Sequence, residues 1–418
     1  MGKMNRSGRQ MSVCCLLVAC MPGWAWAQQS TTKPAGKKVN PPAVKSARKA
    51  VRPEYVPRVH ETDFDVRPVT VVQLEEALQE NLERRDAVVA RELAGMQLTE
   101  RMGSRKLAAW EARLRGRKTR QALVALADAS AFLNLPAAEI PTRETPDMAT
   151  ARHILTLAVE YLSALSPKLP NFLATRTTTR YTDMGKVRGP EGPMKIGGQP
   201  WHVAETFRET VRYNHGEETV EPEDGRRRDP KKEDEEVLAV SGTFGPILSS
   251  VMLDAVHGRL FWRRWENGTA GPVAVFGYMV PKKESHFQIS YRGYTARGDV
   301  AILKQTTAYQ GEMTIDPADG TILRLTLRAN PEQGLPIERS DILVEYGPVE
   351  LGGKTYFCPV RNVAISTGKE LLPFEEAREG AAGPVVTMMN DTVFSEYHLF
   401  RGDLRIVTGD LPAEVKKK

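Results

Sequence analysis

Three residues in the segment between Gly245 and Gly258 are of types that could form a catalytic triad. Ser250, Asp254 and His257 are spaced at i, i+4 and i+7, which places them on one side of a helix. In a Ser–His–Asp triad the imidazole lies between the hydroxyl and the carboxylate, whereas here the aspartate is the middle residue. We therefore expect a polar stripe facing solvent or the sheet rim, and no catalytic triad.

The chain also lacks short motifs that would assign it to a catalytic class. It contains no H-E-x-x-H, no Walker A, no G-x-S-x-G and no Cys/His spacing typical of a metal site. His202 and Glu205 are three residues apart in a predicted strand, so their side chains lie on opposite faces. We therefore predict a protein that is not an enzyme, with no metal and no cofactor.

Aromatic residues are concentrated between residues 260 and 295. Two interpretations stay open: an ordinary β-domain core, or the lining of an apolar cavity between a curved sheet and a helix. A curved sheet with an apolar concave face can hold a hydrophobic ligand. The residues predicted to line such a site are Phe207, Val211, Leu248, Met252, Trp262, Trp265, Phe276, Tyr278, Phe287 and Tyr291.

Two processing signals lie close together near the N-terminus. A basic segment is followed by an apolar run over residues 11–21 that is too short to span a bilayer. The four residues ending at Cys20 match a lipobox, and the three residues ending at Ala27 match an A-x-A cleavage site. The Pro-Gly pair between them favours cleavage after Ala27 over lipidation of Cys20. We predict an exported protein that is periplasmic or associated with the outer membrane.

Only one cysteine lies outside the predicted signal peptide of residues 1–27. Three of the four cysteines are within that segment, which leaves Cys358 in a strand-like run. A single thiol cannot form an internal disulfide, and we predict a buried, unreactive core residue.

The positive charge is concentrated in one segment. The whole chain has a formal net charge of +6, but residues 28–59 alone contain eight Lys and Arg and one Glu, a net charge of +7. We predict a disordered basic linker over residues 28–66, which could contact an anionic membrane or cell-wall surface through residues 28–59. Because the excess charge belongs to this linker, we expect no nucleic-acid binding.

Hydrophobic periodicity divides the remaining chain into two parts. Residues 67–168 have a period of 3.6 and predict a bundle of five helices, with Thr70 and Gln73 forming a capping box at the first. Residues 169–402 have a period of two and predict an antiparallel β-domain of about eleven strands. Residues 403–418 form a C-terminal tail.

The predicted fold class is therefore α+β: a helical bundle followed by a curved antiparallel sheet. Two segments interrupt the strands. The apolar helix near residues 245–258 is expected against the concave face, because a helix that is apolar on most sides favours burial. The mixed-charge residues 217–236 predict a disordered hairpin tip.

Residues 171–400 resemble the LolA/LppX-like superfamily of exported lipoprotein carriers and lipid-binding proteins. The similar features are the meander with its inserted helix, the hairpin of residues 309–324 and the closing strand of residues 393–400. The resemblance implies an unclosed β-barrel whose concave face binds a hydrophobic ligand or the acyl chains of lipoproteins. Most of residues 67–400 also resembles large exported proteins of Acidobacteria-type soil bacteria, through the runs at residues 169–180 and 341–349, a likeness that implies no activity.

Three functions follow from these patterns. The first is an exported cell-envelope protein that binds a lipid or acylated ligand without catalysis. The second is a structural or protein-interaction module whose core is filled by its own side chains. The third is a hydrolase of unknown type, for which the sequence shows no signature.

Overall fold

One large antiparallel sheet lies at the centre of the architecture. The computed structural model describes residues 67–184, 187–189, 192–194, 199–214, 217–222, 246–295, 298–369, 371–372, 383 and 385–400. These residues belong to one compact unit. The predicted signal peptide with Cys20, the linker of residues 28–66 and the tail of residues 403–418 lie outside them.

Helices and strands cover most of the described ranges. The α-helices are α1 (Val71–Glu80), α2 (Asp86–Ala94), α3 (Ser104–Arg113), α4 (Arg117–Ala129), α5 (Met148–Lys168) and α6 (Pro246–His257). The strands are β1 (Arg67–Val69), β2 (Met96–Leu98), β3 (Phe172–Met184), β4 (Val187–Gly189), β5 (Gly192–Met194), β6 (Gln199–Asn214), β7 (Glu217–Pro222), β8 (Arg259–Asn267), β9 (Pro272–Val280), β10 (Gln288–Tyr294), β11 (Val300–Thr306), β12 (Ala308–Ile315), β13 (Ile322–Asn330), β14 (Ile337–Leu351), β15 (Lys354–Lys369) and β16 (Val385–Leu399). None of the helices described is long and apolar enough to cross a membrane.

The main sheet has ten strands in the order β7-β6-β3-β16-β15-β14-β13-β12-β9-β8. Every neighbouring pair is antiparallel, and β7 and β8 are the two edges, so the sheet is open as predicted. The α+β class is confirmed. The predicted number of strands is about eleven. The described part of the β-domain has fourteen, because β10–β11 and β4–β5 form two separate hairpins beside the ten strands of the main sheet.

The predicted disorder of residues 217–236 is wrong for residues 217–222, which form strand β7. Residues 217–222 pair with β6 from Asn214↔Glu217 to Glu209↔Pro222. Arg212 Nη2 also lies 3.2 Å from Glu221 Oε1 across this pair. Cross-strand charge pairing of this kind allows a charged sequence to form an edge strand. The rest of the predicted tip lies outside the described residues.

The first four helices form a small helical unit with the parallel pair β1–β2. Its buried core contains Leu74, Leu78, Leu93, Trp110 and Leu123. The predicted capping box begins α1: the Gln73 N–H donates to Thr70 Oγ1 at 3.2 Å, and the Thr70 N–H donates to Gln73 Oε1 at 2.9 Å. Satisfying both otherwise unpaired donors sets where the helix starts.

The predicted five-helix bundle is wrong in its last member, because α5 packs on the sheet. Ile154 and Ala158 of α5 are buried in the sheet's core cluster, which is separate from the core of the helical unit. Gly320 in the β12–β13 turn allows this approach: a Cβ there would lie 2.2 Å from the carbonyl carbon of Leu157. The apolar stripe of α5 is real, but it is buried against strands rather than helices.

The two faces of the sheet have different coverings. On β14, Ile342 and Val344 are buried with α5 and α6, whereas Leu343 between them is buried with Ala125 of α4. Alternate residues of a strand point to opposite faces. We call the face under α5 and α6 the apolar face and the face under α4 the charged face, for the side chains described below. The predicted position of the inserted helix, now α6, against the sheet is confirmed.

Candidate ligand-binding cleft

Seven of the ten residues predicted to line a ligand site come together in one closed cluster on the apolar face. Five of them are buried members of the cluster and two, Trp262 and Phe287, are partly buried against it. The five are Leu248, Met252, Trp265, Phe276 and Tyr278. Their neighbours are side chains of α5, α6 and the sheet, so they contact each other and form a packed core.

A bulge in β8 explains how two tryptophans three residues apart share one face. Trp262 pairs with Phe276 and Trp265 with Ala274, and the register shifts between Trp262 and Arg264. The extra residue restores both indole rings to the apolar face. The rings of Trp262 and Trp265 lie 4.9 Å apart in an edge-on arrangement.

The other three predicted residues lie elsewhere. Val211 is buried in a second cluster with Phe172 and Tyr213, at the far end of the sheet. Phe207 is half-buried on β6, and the Arg180 guanidinium lies 5.5 Å from its ring centroid. Tyr291 on β10 lines a cleft that contains none of the other nine.

This cleft lies between the β10–β11 hairpin and the ends of β14, β15 and β16, and its volume is about 610 Å³. Pockets for small ligands commonly have volumes of 300–1,000 Å³. The lining residues are Tyr291, Arg292, Tyr294, Val300, Pro336, Ile337, Ser366, Gly368, Lys369, Leu371, Leu372, Val386 and Met388.

The floor of the cleft is a continuation of the apolar face. Ile342 pairs with Ala364, and Ser366 and Gly368 follow at alternate positions of β15, opposite Met388 and Val386 of β16. Residues directly opposite each other in a sheet share a face. The helices α5 and α6 therefore cover one part of this face, and the cleft lies beside them at the ends of β14, β15 and β16.

The hairpin that covers the cleft is held at defined points. Ile289 on β10 is 2% exposed, and the Tyr294 hydroxyl donates to the Leu372 carbonyl at 2.5 Å. The partner of Tyr294 across the hairpin is Val300. Despite lining the cleft, Val300 is 50% exposed, and Ile302 on the same face is 39% exposed. These exposed β-branched side chains leave apolar surface uncovered on the hairpin, and that of Val300 lines the cleft.

The charged lining residues of the cleft are all cations. Arg292 comes from the hairpin and Lys369 from the end of β15, and no Asp or Glu is among the described residues that line the cleft. Lys369 Nζ lies 3.4 Å from Glu338 Oε1, with both side chains at least one third exposed. Such solvated pairs are weak, so the cation remains able to interact with a ligand.

The charged face contains a network of ion pairs between the helical unit and the sheet. Arg101 Nη2 lies 2.7 Å from Glu266 Oε2, and Arg264 bridges Glu266 and Glu312 at 2.6 and 2.8 Å. Burial alone would raise the pKa of Glu312, but hydrogen bonds from Arg264 and the charge of that cation outweigh it and lower the pKa to about 2.

A second part of this network joins α4 to β15 and β16. Arg361 donates to Asp128 of α4 and, at 3.0 Å, to Asp391 of β16. Burial and the nearby Asp391 carboxylate raise the pKa of Asp128 well above its usual value, against the opposing effect of Arg361. The network therefore ties the helical unit to the sheet. Arg361 offsets the charge of the Asp128 carboxylate only in part.

Two clefts of about 430 and 520 Å³ lie within the charged face, and Arg324 lines both. Arg324 donates to the Ala131 carbonyl at 2.6 Å. Burial and the neighbouring Arg101 lower the pKa of Arg324 to about 10, so it stays charged at neutral pH. Polar cavities of this kind commonly hold water.

The predicted polar stripe on α6 is wrong for Asp254, which is 1% exposed. Its Oδ1 lies 2.5 Å from His286 Nδ1, and its Oδ2 accepts from the His286 backbone N–H and the Tyr309 hydroxyl, each at 2.8 Å. His257 instead contacts the Leu253 carbonyl at 3.1 Å. Asp254 therefore fastens the segment before β10 to α6, which is a positioning role.

Cys358 is buried as predicted, at 1% exposure, and burial raises the pKa of its thiol to about 12. A thiol that stays protonated is a poor nucleophile. Within the described ranges, no group of three or more His, Cys, Asp or Glu is arranged to hold a metal ion.

Sequence reasoning found only one residue of the cleft, Tyr291. The cleft is assembled from β10, β11, β14, β15 and β16, and no local pattern shows that these strand ends meet. A usable signal was the Val300–Lys304 run, where the apolar Val300 and Ile302 alternate with Ala301 and Leu303. Both sets of alternate positions are apolar, which is unusual for a hairpin with one face in water.

No known family profile matches the chain, and no curated protein matches it. Among solved structures, the chain is similar to a domain from Vibrio parahaemolyticus that is provisionally described as an outer membrane lipoprotein-sorting protein. The sequences are 11% identical, the match covers 60% of this chain and 94% of that domain, and the TM-score is 0.26. A likeness at this TM-score carries no argument, and the resemblance to soil-bacterial exported proteins is unsupported.

Proposed function

We propose that this chain is an exported cell-envelope protein that binds an apolar ligand, such as an acyl chain, without catalysis. The observation that carries this proposal is the cleft of about 610 Å³ on the apolar face, with Val300 half-exposed beside it. Removing apolar surface from water contributes about 0.8 kcal/mol per buried methylene group. An acyl chain against Val300, Ile337 and Met388 would gain several such contributions.

The binding site differs in position from the one that the sequence predicts. Phe276, Tyr278 and their neighbours under α5 and α6 are already packed against the protein's own helices. Because the protein's own side chains fill this part of the face, it supports the alternative function, a module with a self-filled core. We therefore place the ligand in the cleft under the β10–β11 hairpin, with Tyr291 as the predicted residue that contributes.

Export is part of the proposal and rests on the signal-like residues 1–27. A protein that carries a ligand between membranes would be cleaved after Ala27. Lipidation at Cys20 would instead give an anchored protein with residues 28–66 as its stalk. Mass spectrometry of the mature N-terminus distinguishes these two forms.

The test of ligand binding uses the neutral fluorescent probe N-phenyl-1-naphthylamine and the full mature chain. We expect saturable fluorescence enhancement with one probe per chain. Met388→Trp, which fills the cleft, should weaken probe binding at least about tenfold, and Val300→Gln should weaken it about three- to fivefold through lost apolar contact.

The matched control is Val256→Gln on α6, where the side chain is 65% exposed and does not line the cleft. This variant should bind the probe as the wild type does. Circular dichroism of each variant checks that the fold is retained. Equal probe binding by Met388→Trp and wild type would contradict the proposed site, and no binding by the wild type would favour the interaction module.

A further inference from the structure

We infer that the cleft selects amphiphiles with one anionic head group, which Arg292 and Lys369 hold while the chain lies on the apolar lining. This inference rests on the proposed function, because it assigns the ligand class of the same site. It is carried by the charge of the lining, in which two cations occur without any Asp or Glu among the described residues.

The position of Arg292 supports an interaction with a head group. Arg292 pairs with Ile302 across the hairpin, next to the Tyr294–Val300 pair, and Arg292, Tyr294 and Val300 all line the cleft. Its side chain is half-buried beside apolar surface. A guanidinium can donate two parallel hydrogen bonds to a carboxylate or a phosphate.

Gly368 lies on the floor of the cleft, opposite Val386 of β16. The next residue, Lys369, ends β15 and is the second cation that lines the cleft. Its pair with Glu338 is 3.4 Å long and solvated, and an incoming anion can compete with it at little cost. A single anion between Arg292 and Lys369 would offset both charges.

The neutral polar groups of the cleft fit the same ligand. Ser366 and Tyr291 are the hydroxyl-bearing residues of the lining besides Tyr294, whose hydroxyl is bonded to Leu372. Hydroxyls can donate to an anionic oxygen, whereas a cationic head group would face two like charges. The arrangement therefore favours anionic amphiphiles over neutral and cationic ones.

The test compares ligands of equal chain length on the full mature chain. Decanoate, decyl phosphate and decanol are titrated as competitors of N-phenyl-1-naphthylamine, and inorganic phosphate is titrated by calorimetry. We expect both anionic amphiphiles to bind about tenfold more tightly than decanol, and inorganic phosphate alone to show no binding. Raising the salt concentration should reduce the difference by screening.

Variants separate the head-group contacts from the fold. Arg292→Gln and Lys369→Gln should each reduce the preference for decanoate over decanol about three- to fivefold and leave decanol binding unchanged. Lys304→Gln, on the same hairpin but outside the lining, should keep the wild-type preference.

The outcomes distinguish the two proposals. If decanol and decanoate bind equally and neither variant changes the ratio, the anionic selection is wrong and the apolar site stands. If no amphiphile displaces the probe, the proposed function itself fails. Tight binding of inorganic phosphate alone would overturn the inference in favour of a simple anion site.

Discussion

The face of the sheet beneath α5 and α6 is apolar, whereas the opposite face, beneath α4, carries arginines and carboxylates. On the apolar face, Phe276, Met313 and Val344 are at most 1% exposed and contact other apolar side chains. On the charged face, Arg264 and Arg361 each contact two carboxylates. The same strands therefore attach α5 and α6 by apolar burial, and α4 by ion pairs together with a smaller apolar cluster around Leu343 and Ala125.

The contrast between the two faces indicates where a ligand can be accommodated. Apolar packing is non-directional, so helices can cover part of the apolar face and leave a cleft of the same chemistry beside them. Ion-pair networks need defined partners, and each unpaired buried charge is costly. The clefts of the charged face are lined by arginines and carboxylates, and the cleft proposed for the ligand lies on the face where α5 and α6 also pack.

The largest effect is expected from removing the cation that joins α4 to the sheet. Arg361→Leu leaves Asp128 and Asp391 without their partner, which should lower the free energy of unfolding by about 3–5 kcal/mol at neutral pH. The loss should shrink as the pH falls, because burial raises the pKa of Asp128 and its protonation removes the uncompensated charge. Urea unfolding at several pH values measures both effects.

Arg328→Leu is the matched control on the same face. Its side chain is 49% exposed and lies 3.8 Å from Asp341, so the change should cost less than about 1 kcal/mol. Equal losses for Arg361→Leu and Arg328→Leu would show that the buried network does not hold the helical unit to the sheet.

The attachment of α5 to the apolar face depends on Gly320, which has a φ of 78° and contacts the α5 backbone. Gly320→Ala should cost about 3 kcal/mol, from the backbone conformation and from displacement of α5. Gly353 has the same φ of 78° but open space around it, so Gly353→Ala should cost only about 1 kcal/mol. Urea unfolding that gives equal losses would contradict the close packing of α5.

Glu312 should make the free energy of unfolding depend on pH in the acidic range. Its folded-state pKa of about 2 is below its ordinary value, so its contribution is present above about pH 4.5 and is lost as the pH falls towards 2. Glu312→Gln should therefore cost about 2 kcal/mol at pH 7 and little near pH 2. A pH-independent cost, measured by denaturant unfolding, would show that the ion pairs with Arg264 contribute little.

The substitution Asp183→Asn should have the smallest effect on the free energy of unfolding, and it should stabilise the protein rather than destabilise it. Burial raises the pKa of Asp183 to about 6, and its Oδ1 has no hydrogen-bond partner among the described residues. Because the folded state holds the proton more tightly, wild-type stability falls as the pH rises from about 4 to about 6. Asp183→Asn should stabilise the protein by about 1 kcal/mol at pH 8 and not at pH 4, which thermal unfolding can detect.

Features set by local chemistry could be predicted from the sequence. The Thr70–Gln73 capping box is present. The hairpin of residues 309–324 also forms, with the Asp316 N–H donating to the Thr321 carbonyl at 2.9 Å. Each of these signals depends on a few neighbouring residues.

Features that depend on which surfaces meet could not be predicted. The apolar stripe of α5 shows that Ile154 and Ala158 are buried, but the sequence does not say whether a helix or a sheet covers them. Asp254 and His286 are 32 residues apart, and only the folded connection before β10 brings them together. The cleft combines residues from Tyr291 to Met388 for the same reason.

Native mass spectrometry of the mature chain, purified gently from cells, tests the central proposal most directly. We expect one anionic amphiphile per chain, lost on collisional activation and absent from Met388→Trp. An unliganded wild type that also fails to take up decanoate, or a ligand that Met388→Trp retains, would contradict the cleft as the binding site.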